Sequence, residues 1–226
     1  MLIEAHPVSP WQANCYLIAA EDSAGGDPVP CIIVDPGIMS FDVVHEVLAR
    51  RNWKPVAVLL THGHLDHVGD AHRIAAARRI PVHCATADQP MLAQPSVGLG
   101  ESAVGLIKQF LGADVLPVPA DLRALDAAFK VAGLAISPFA APGHTAGSTL
   151  IEVSDSTSSV VLTGDVLFAG TIGRTDLPTG NMSQMRESLA RIATAFAGDV
   201  ALLPGHGPAT TLAEELARNP FMQAAM

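Results

Sequence analysis

Aromatic side chains are scarce in this chain: one tyrosine, two tryptophans and seven phenylalanines make up 4% of its 226 residues. Stacked rings therefore cannot build the core, and Ala, Val, Leu and Ile must supply it. Basic residues are also few, 13 Lys and Arg against 22 Asp and Glu, for a formal net charge of −9. That balance argues against nucleic acid as a partner, because phosphate recognition needs a basic footprint. Only three cysteines occur, Cys15, Cys31 and Cys84. An odd number without close spacing is not a disulfide framework, and free thiols suit a reducing compartment. No apolar run approaches the roughly 18 residues that a membrane-spanning helix needs. The opening "MLIEAHPVSP" lacks the charged start and apolar stretch of a signal peptide. The expectation is a cytoplasmic protein with no membrane partner. What remains is 49% hydrophobic and only 15% charged, enough to bury one substantial core, or at most two small ones.

Short β-like runs alternate with helical segments. "CYLIAA" and "CIIVD" read as a hairpin around the turn-rich "EDSAGGDPVP". "SFDVVHEVLARR" has helical periodicity, with Ser40 as N-cap. "VAVLL" is a buried strand ending at Thr61, "DHVGDAHRIAAARR" a helix and "PVHCA" the next strand. "SAVGLIKQFL" looks helical. "FKVAGLAISPFAA", "STLIEV" and "SVVLTGD" form a β-rich stretch, followed by the helix "SQMRESLARIATAF" and a last strand and loop, "VALLPGHG". A terminal helix is expected at about 210–219, with Thr211 and Glu214 as a capping box. No repeat, low-complexity tract or linker stands out, so residues 1–226 read as a single domain. This pattern leaves two architectures open: two sheets packed face to face with helices outside, or a doubly wound parallel sheet.

The chemistry concentrates in "THGHLDHVGD", Thr61 to Asp70. His62 and His64 are two apart, so in extended chain they point the same way. Asp66 and His67 follow where a helix begins, a place that favours a carboxylate. Zinc-like metals take imidazole nitrogen and carboxylate oxygen at about 2.0–2.2 Å. Buried histidines at this density would leave too many polar groups unsatisfied without a cation. Four donors in six residues are too stiffly linked to reach one ion together, so two ions share the corner and further ligands come from elsewhere. Three candidates lie at the ends of apolar runs beside glycine: His144 in "APGHTAGS", Asp165 closing "SVVLTGD" and His206 in "LLPGHGP". A lone Pro-Gly-His is usually only a turn, and these three gain force together. His6, His45, His72 and His83 have no partners at ligand spacing.

These motifs carry a resemblance. "THGHLDH" matches the T-H-x-H-x-D-H motif of the metallo-β-lactamase superfamily, and "PGHTAGS", the Asp of "LTGD" and "PGHG" match its later motifs in order. The resemblance implies a four-layer αββα sandwich of the α/β (α+β) class, two mixed sheets face to face with helices outside. It implies one metal on His62, His64 and His144, a second on Asp66, His67 and His206, and Asp165 bridging both. Asp66 and Asp165 would be the catalytic carboxylates of that centre. Asp35 in "IIVDPG" resembles the early aspartate that supports the metal loop; on spacing alone it is equally a turn residue.

Within the superfamily, "GDVLFAGTIGRTDLPTG" and "EELARNPF" look like the short form of the glyoxalase II branch, which hydrolyses thioesters such as S-D-lactoylglutathione. Longer glyoxalase II enzymes add a C-terminal region that grips glutathione. Here Arg218 is the sole basic residue after His206, so the resemblance implies an acyl-thiol substrate without specifying its thiol. Two divalent ions are implied, zinc first, with iron or manganese as alternatives; such a pair lowers the pKa of water to about 7 and polarises a carbonyl. Arg174 in "IGRTD" either pins a substrate carboxylate or pairs with an acid such as Asp176. A rival resemblance exists, to persulfide dioxygenases of the same fold, which use one iron held here by His62, His144 and Asp165.

Overall fold

A computed structural model describes residues 1–22 and 26–226; residues 23–25, in the middle of the turn-rich segment, lie outside them. One sheet has six strands in the order β1 (Leu2–Val8), β2 (Ala13–Ala19), β3 (Val29–Val34), β4 (Trp53–Leu59), β5 (Val82–Cys84) and β6 (Leu122–Ala124). The pairs β1–β2 and β2–β3 are antiparallel, and β3–β4, β4–β5 and β5–β6 are parallel. Next in the chain come β7 (Phe129–Val131), β8 (Leu134–Ala140), β9 (Thr149–Ser154), β10 (Ser159–Gly164), the small hairpin β11 (Leu167–Phe168) and β12 (Thr171–Ile172), then β13 (Ala201–Pro204) and β14 (Thr210–Thr211). The second sheet orders these β14-β13-β10-β9-β8-β7.

The period-2 alternation of these strands sorts side chains into three cores. Tyr16, Ile18, Ile32 and Val34 face Ile136, Ile151, Val153 and Leu162 between the sheets. Cys15, Leu17 and Ile33 point the other way, under α1 (Phe41–Arg51), α2 (Leu65–Val68) and α3 (Ala71–Arg78), and contact Val44, Leu48 and Ile74. Val161 and Leu202 meet Met185, Leu189 and Ile192 of α7 (Met182–Ala195) on the far side. Between α3 and α7 lie the short helices α4 (Gln89–Ala93), α5 (Ser96–Leu99) and α6 (Val104–Leu111); α8 (Leu212–Arg218) and α9 (Pro220–Ala225) end the chain. The layers are α, β, β, α, which resolves the two open architectures. Strand β2 is buried on both faces, and truncating one of its large aliphatics should cost about 2–5 kcal/mol. The three cysteines are buried and unpaired; burial pushes the Cys31 thiol up to about 12, so these groups act as small core hydrophobes.

Three local expectations need correction, and the β-rich stretch from Phe129 takes a definite form. The helix expected after Asp66 is broken, because Asp70 N–H donates to Pro36 O at 3.1 Å instead of continuing the ladder from α2. Ser40 occupies the N-cap of α1, but its side chain caps nothing; the Asp70 carboxylate accepts from Phe41 N–H at 3.0 Å in its place. "FKVAGLAISPFAA" is a tight hairpin, turning through Ala132 and Gly133, both at positive φ (54° and 74°), as a two-residue turn of matching twist requires. The terminal helix expected at 210–219 spans Leu212–Arg218; Thr210 and Thr211 instead extend the sheet, and α9 follows beyond Pro220. Half of the capping box forms: Thr211 Oγ1 accepts from Glu214 N–H, while the Glu214 carboxylate turns to Thr210.

Strands β3, β4, β8, β10 and β13 all end at one rim. Direct bonds tie the sheets there: Thr149 N–H donates to Thr61 O at 2.9 Å and Asn14 N–H to Gly205 O at 2.7 Å. No helix among the described residues is long and apolar enough to cross a membrane.

Candidate metal centre

The loop after β4 carries His62 and His64, and α2 begins immediately so that Asp66 and His67 project from its only turn. His144 lies between β8 and β9, Asp165 directly after β10 and His206 two residues past the end of β13. The structure brings all seven to one rim, in two groups. His62, His64 and His144 form one and Asp66, His67 and His206 the other; within each, the donor atoms lie within 4.8 Å of one another. Asp165 stands between them, Oδ1 at 3.4 Å from His67 Nε2 and Oδ2 at 3.5 Å from His206 Nε2 and 3.6 Å from His144 Nε2.

The donor set fits cations. Imidazole nitrogens face each other at 2.9 Å between His64 Nδ1 and His144 Nε2, and at 3.2 Å between His67 Nε2 and His206 Nε2. His62 Nε2 and Asp165 Oδ1 are buried without a hydrogen-bond partner. Converging lone pairs and orphaned buried acceptors are costly unless a cation satisfies them. At Gly205 a Cβ would collide with Asp165 Oδ1 and approach His67 Cε1 to 2.8 Å. The glycine of "PGHG" is thus required by the close approach of the two groups.

Buttressing bonds aim the rings. Asp35, just after β3, accepts from Thr61 N–H at 2.8 Å, from Thr61 Oγ1 at 2.6 Å and from His67 Nδ1 at 3.1 Å. Thr61 Oγ1 in turn sits 3.1 Å from His62 Nδ1. One carboxylate thereby orients a histidine of each group, which leaves Nε2 of both free for a metal. Asp35 also lies within a third donor group, with His62 and His67, but its oxygens are spent on these bonds. His144 Nδ1 donates to Arg174 O at 2.8 Å. The His206 loop is held by the Asn14 side chain, which donates to Pro204 O at 2.9 Å and Gly207 O at 3.0 Å, and by the Tyr16 hydroxyl, 2.7 Å from Pro204 O.

Two supports escaped the sequence reading. Asp88, fully buried, accepts from Gly63 N–H at 2.9 Å, Thr145 Oγ1 at 2.6 Å and Gly147 N–H at 2.7 Å. It clamps the loops of His62, His64 and His144 to each other. Nothing in "ATADQP" signals this, since the partners lie 25 to 59 residues away. Glu215 of α8 accepts from Gly170 N–H at 2.8 Å and Asn219 Nδ2 at 2.8 Å, and Asn219 donates to Thr171 O at 3.1 Å. The "EELARNPF" segment thus pins the β11–β12 hairpin against the site.

Arg174 lines the cavity and pairs with Asp176. Its guanidinium forks onto Asp176, with both bonds at 2.7 Å, and both side chains are exposed. His6, His45, His72 and His83 stay apart from the donor groups, as expected.

Electrostatics separate the two groups. Burial, helped by neighbouring imidazoles, holds His62 well below its ordinary value and lowers His64 and His144 to about 4. Burial also opposes charge on His67, but the carboxylates of Asp165, Asp66 and Asp35 outweigh it and push its pKa up to about 10. The first group is neutral at pH 7 without a metal, and the second holds a proton.

A cavity of about 430 Å³ opens over both groups; Trp11, Leu65, Leu99, Ile107, Phe110 and Phe168 contribute to its wall.

Residues 8–209 match the family model described as the metallo-β-lactamase superfamily. The chain belongs to this superfamily. Similar proteins include an uncharacterized protein of Mycobacterium tuberculosis, 34% identical over 99% of this chain and 98% of the relative. The probable metallo-hydrolase YqgX of Bacillus subtilis is 32% identical over 96% and 95%, and the hydroxyacylglutathione hydrolase GloC of Haemophilus influenzae 31% over 99% and 99%. Among solved structures, the BLEG-1 B3 metallo-β-lactamase superposes with a TM-score of 0.80 at 28% identity, covering 98% and 99% of the two chains. TTHA1623 in a di-iron-bound form gives 0.74 at 30%, covering 96% and 99%. ETHE1 from Myxococcus xanthus gives 0.72 at 25%, covering 97% and 84%. The superfamily is one of metallo-hydrolases, and its αββα sandwich is the fold described above.

Proposed function

We propose that this superfamily member is a binuclear thioester hydrolase of the glyoxalase II type. The observation that carries the reading is the second donor group. Asp66, His67 and His206 are assembled beside the first group, with Asp165 between them. His62, His64 and His144 would hold one divalent ion, Asp66, His67 and His206 the other, and Asp165 both. Zinc suits this nitrogen and oxygen set, as do iron and manganese. Bound there, the ions would lower the pKa of a water to near 7 and polarise the substrate carbonyl.

The chain's own groups do the rest. Asp35 and Thr61 keep His62 and His67 in the ligating tautomer, the Arg174 carbonyl does the same for His144, and Asp88 holds the first group's loops together. Among the described residues, the donors and Arg174 are the titratable side chains that line the cavity. A thiol with an ordinary pKa of about 8.5 departs as thiolate without strong acid assistance. The full-length likeness to GloC supports the same substrate class.

The likeness to ETHE1 sustains a second reading, a mononuclear iron persulfide dioxygenase using His62, His144 and Asp165. Zinc- and iron-loaded protein, each given S-D-lactoylglutathione and glutathione persulfide separately, distinguishes the two. Hydrolysis releases free thiol without using oxygen. Oxygen uptake with persulfide by the iron form, and no thioester cleavage by either, would overturn the hydrolase proposal.

A further inference from the structure

The cavity wall carries an unusual cost. Trp11, Leu106 and Phe110 remain 41%, 46% and 37% exposed where they border it. Trp11 and Phe110 lie with ring centroids 5.1 Å apart, joining the β1–β2 turn to α6. Ile107 and Leu99 continue this wall towards the metal-ligand side chains. Large apolar groups left wet around a concave site mark an apolar ligand. The same wall offers almost nothing to a peptidic thiol, which presents two carboxylates and an ammonium. Among the described residues, Arg174 is the one Lys or Arg lining the cavity, and its guanidinium is engaged by Asp176. Lys108 on α6 does not line it and pairs with Asp114 at 3.0 Å.

We infer that the substrate carries an apolar chain beside the scissile thioester, and that Trp11, Leu106, Ile107 and Phe110 form the subsite that selects it. This rests on the thioester reading for the position of the reacting bond. At roughly 30 Å³ per water-sized group, the cavity takes the thioester and a chain of about ten methylenes. Each methylene buried there should tighten binding by up to about fourfold, until the cavity is filled. The chain belongs either to the acyl group or to the thiol, and the two sources are separated by experiment.

Two thioester series are assayed with zinc-loaded protein: acyl groups of two to twelve carbons on one small neutral thiol, and acetyl esters of alkyl thiols of increasing length. In parallel, straight-chain carboxylates of two to twelve carbons are titrated while the fluorescence of Trp11 is followed; the other tryptophan, Trp53, is buried in a different core. KM should fall by several-fold per two methylenes in one series, and that series names the source. The Trp11 titration should show the same slope. Phe110→Ser and Leu106→Gln should each flatten the slope with metal content unchanged, whereas Val118→Ser, exposed outside the cavity, should leave it alone. Thioester cleavage with no chain-length dependence in either series, or a preference for a glutathione thioester over every apolar one, would overturn the inference. Should no thioester be cleaved, the hydrolase reading fails and the titration alone decides: a chain-length slope supports the apolar subsite, and its absence overturns it.

Discussion

Replacing Asp88 tests whether a buried carboxylate outside the donor groups holds the first of them together. Its side chain accepts three buried bonds, from Gly63 N–H, Thr145 Oγ1 and Gly147 N–H, at 2.6–2.9 Å. Burial raises its pKa, and those donors work against the rise. Asp88→Ala orphans all three donors, at about 1–3 kcal/mol each before relaxation. Water entry and loop movement reduce the sum, to about 3–5 kcal/mol. For a chain of this size that lowers Tm by roughly 6–20 °C. Asp88→Asn keeps one acceptor and should cost about half. Because Gly63 lies between His62 and His64, and Thr145 follows His144, the first ion should bind about 10–100-fold more weakly, as when other ligand-supporting residues are lost. The second group has no bond to Asp88 and should bind as before. Calorimetric unfolding and metal titration read both effects. A Tm within about 2 °C of the parent together with unchanged affinity for the first ion would refute the clamp.

Asp66→Ala should lose the second ion and most hydrolysis yet retain the first, whereas Asp165→Ala should empty both sites; equal metal loss in elemental analysis of the two variants would contradict the sharing of Asp165. Arg174→Ala should change Tm by less than about 1 kcal/mol's worth, since its partner is an exposed ion pair; a KM increase confined to acidic thioesters would show instead that the guanidinium leaves Asp176 for substrate. Because His67 is pushed up to about 10 while His64 and His144 lie at about 4, binding at the second site at pH 7 should expel a proton and its affinity should rise steeply from pH 6 to 9. First-site affinity should be nearly flat over that range. Titration calorimetry in buffers of different ionisation enthalpy checks both, and equal pH slopes would contradict the assignment.

The donor constellation was legible because its spacing is local where it matters. Six residues place four donors at the β4–α2 corner, and His144, Asp165 and His206 each advertise themselves by an adjacent glycine at the end of an apolar run. The layered fold followed from the family resemblance; the strand pattern alone left a doubly wound sheet open. Features set by long-range contact were not legible. Asp88 reads as an ordinary residue after a strand, and only the folded chain shows that it joins "HGH" to "GHTAG". The break at Asp70 and the cap on Phe41 come from the 36–41 loop packing on α2, which overrides helical periodicity. The positive φ at Ala132 is imposed by hairpin twist on a residue that gives no local sign of a turn. Arg174 showed two alternatives in sequence, and the fold keeps it both beside Asp176 and at the cavity.

The most direct test of the central claim is anomalous diffraction at the zinc edge from crystals of zinc-loaded protein. Two peaks are expected, one among His62, His64 and His144 and one among Asp66, His67 and His206, with Asp165 in contact with both. A single peak at the first group under zinc excess, leaving Asp66 and His67 unligated, would contradict the binuclear centre and with it the hydrolytic mechanism.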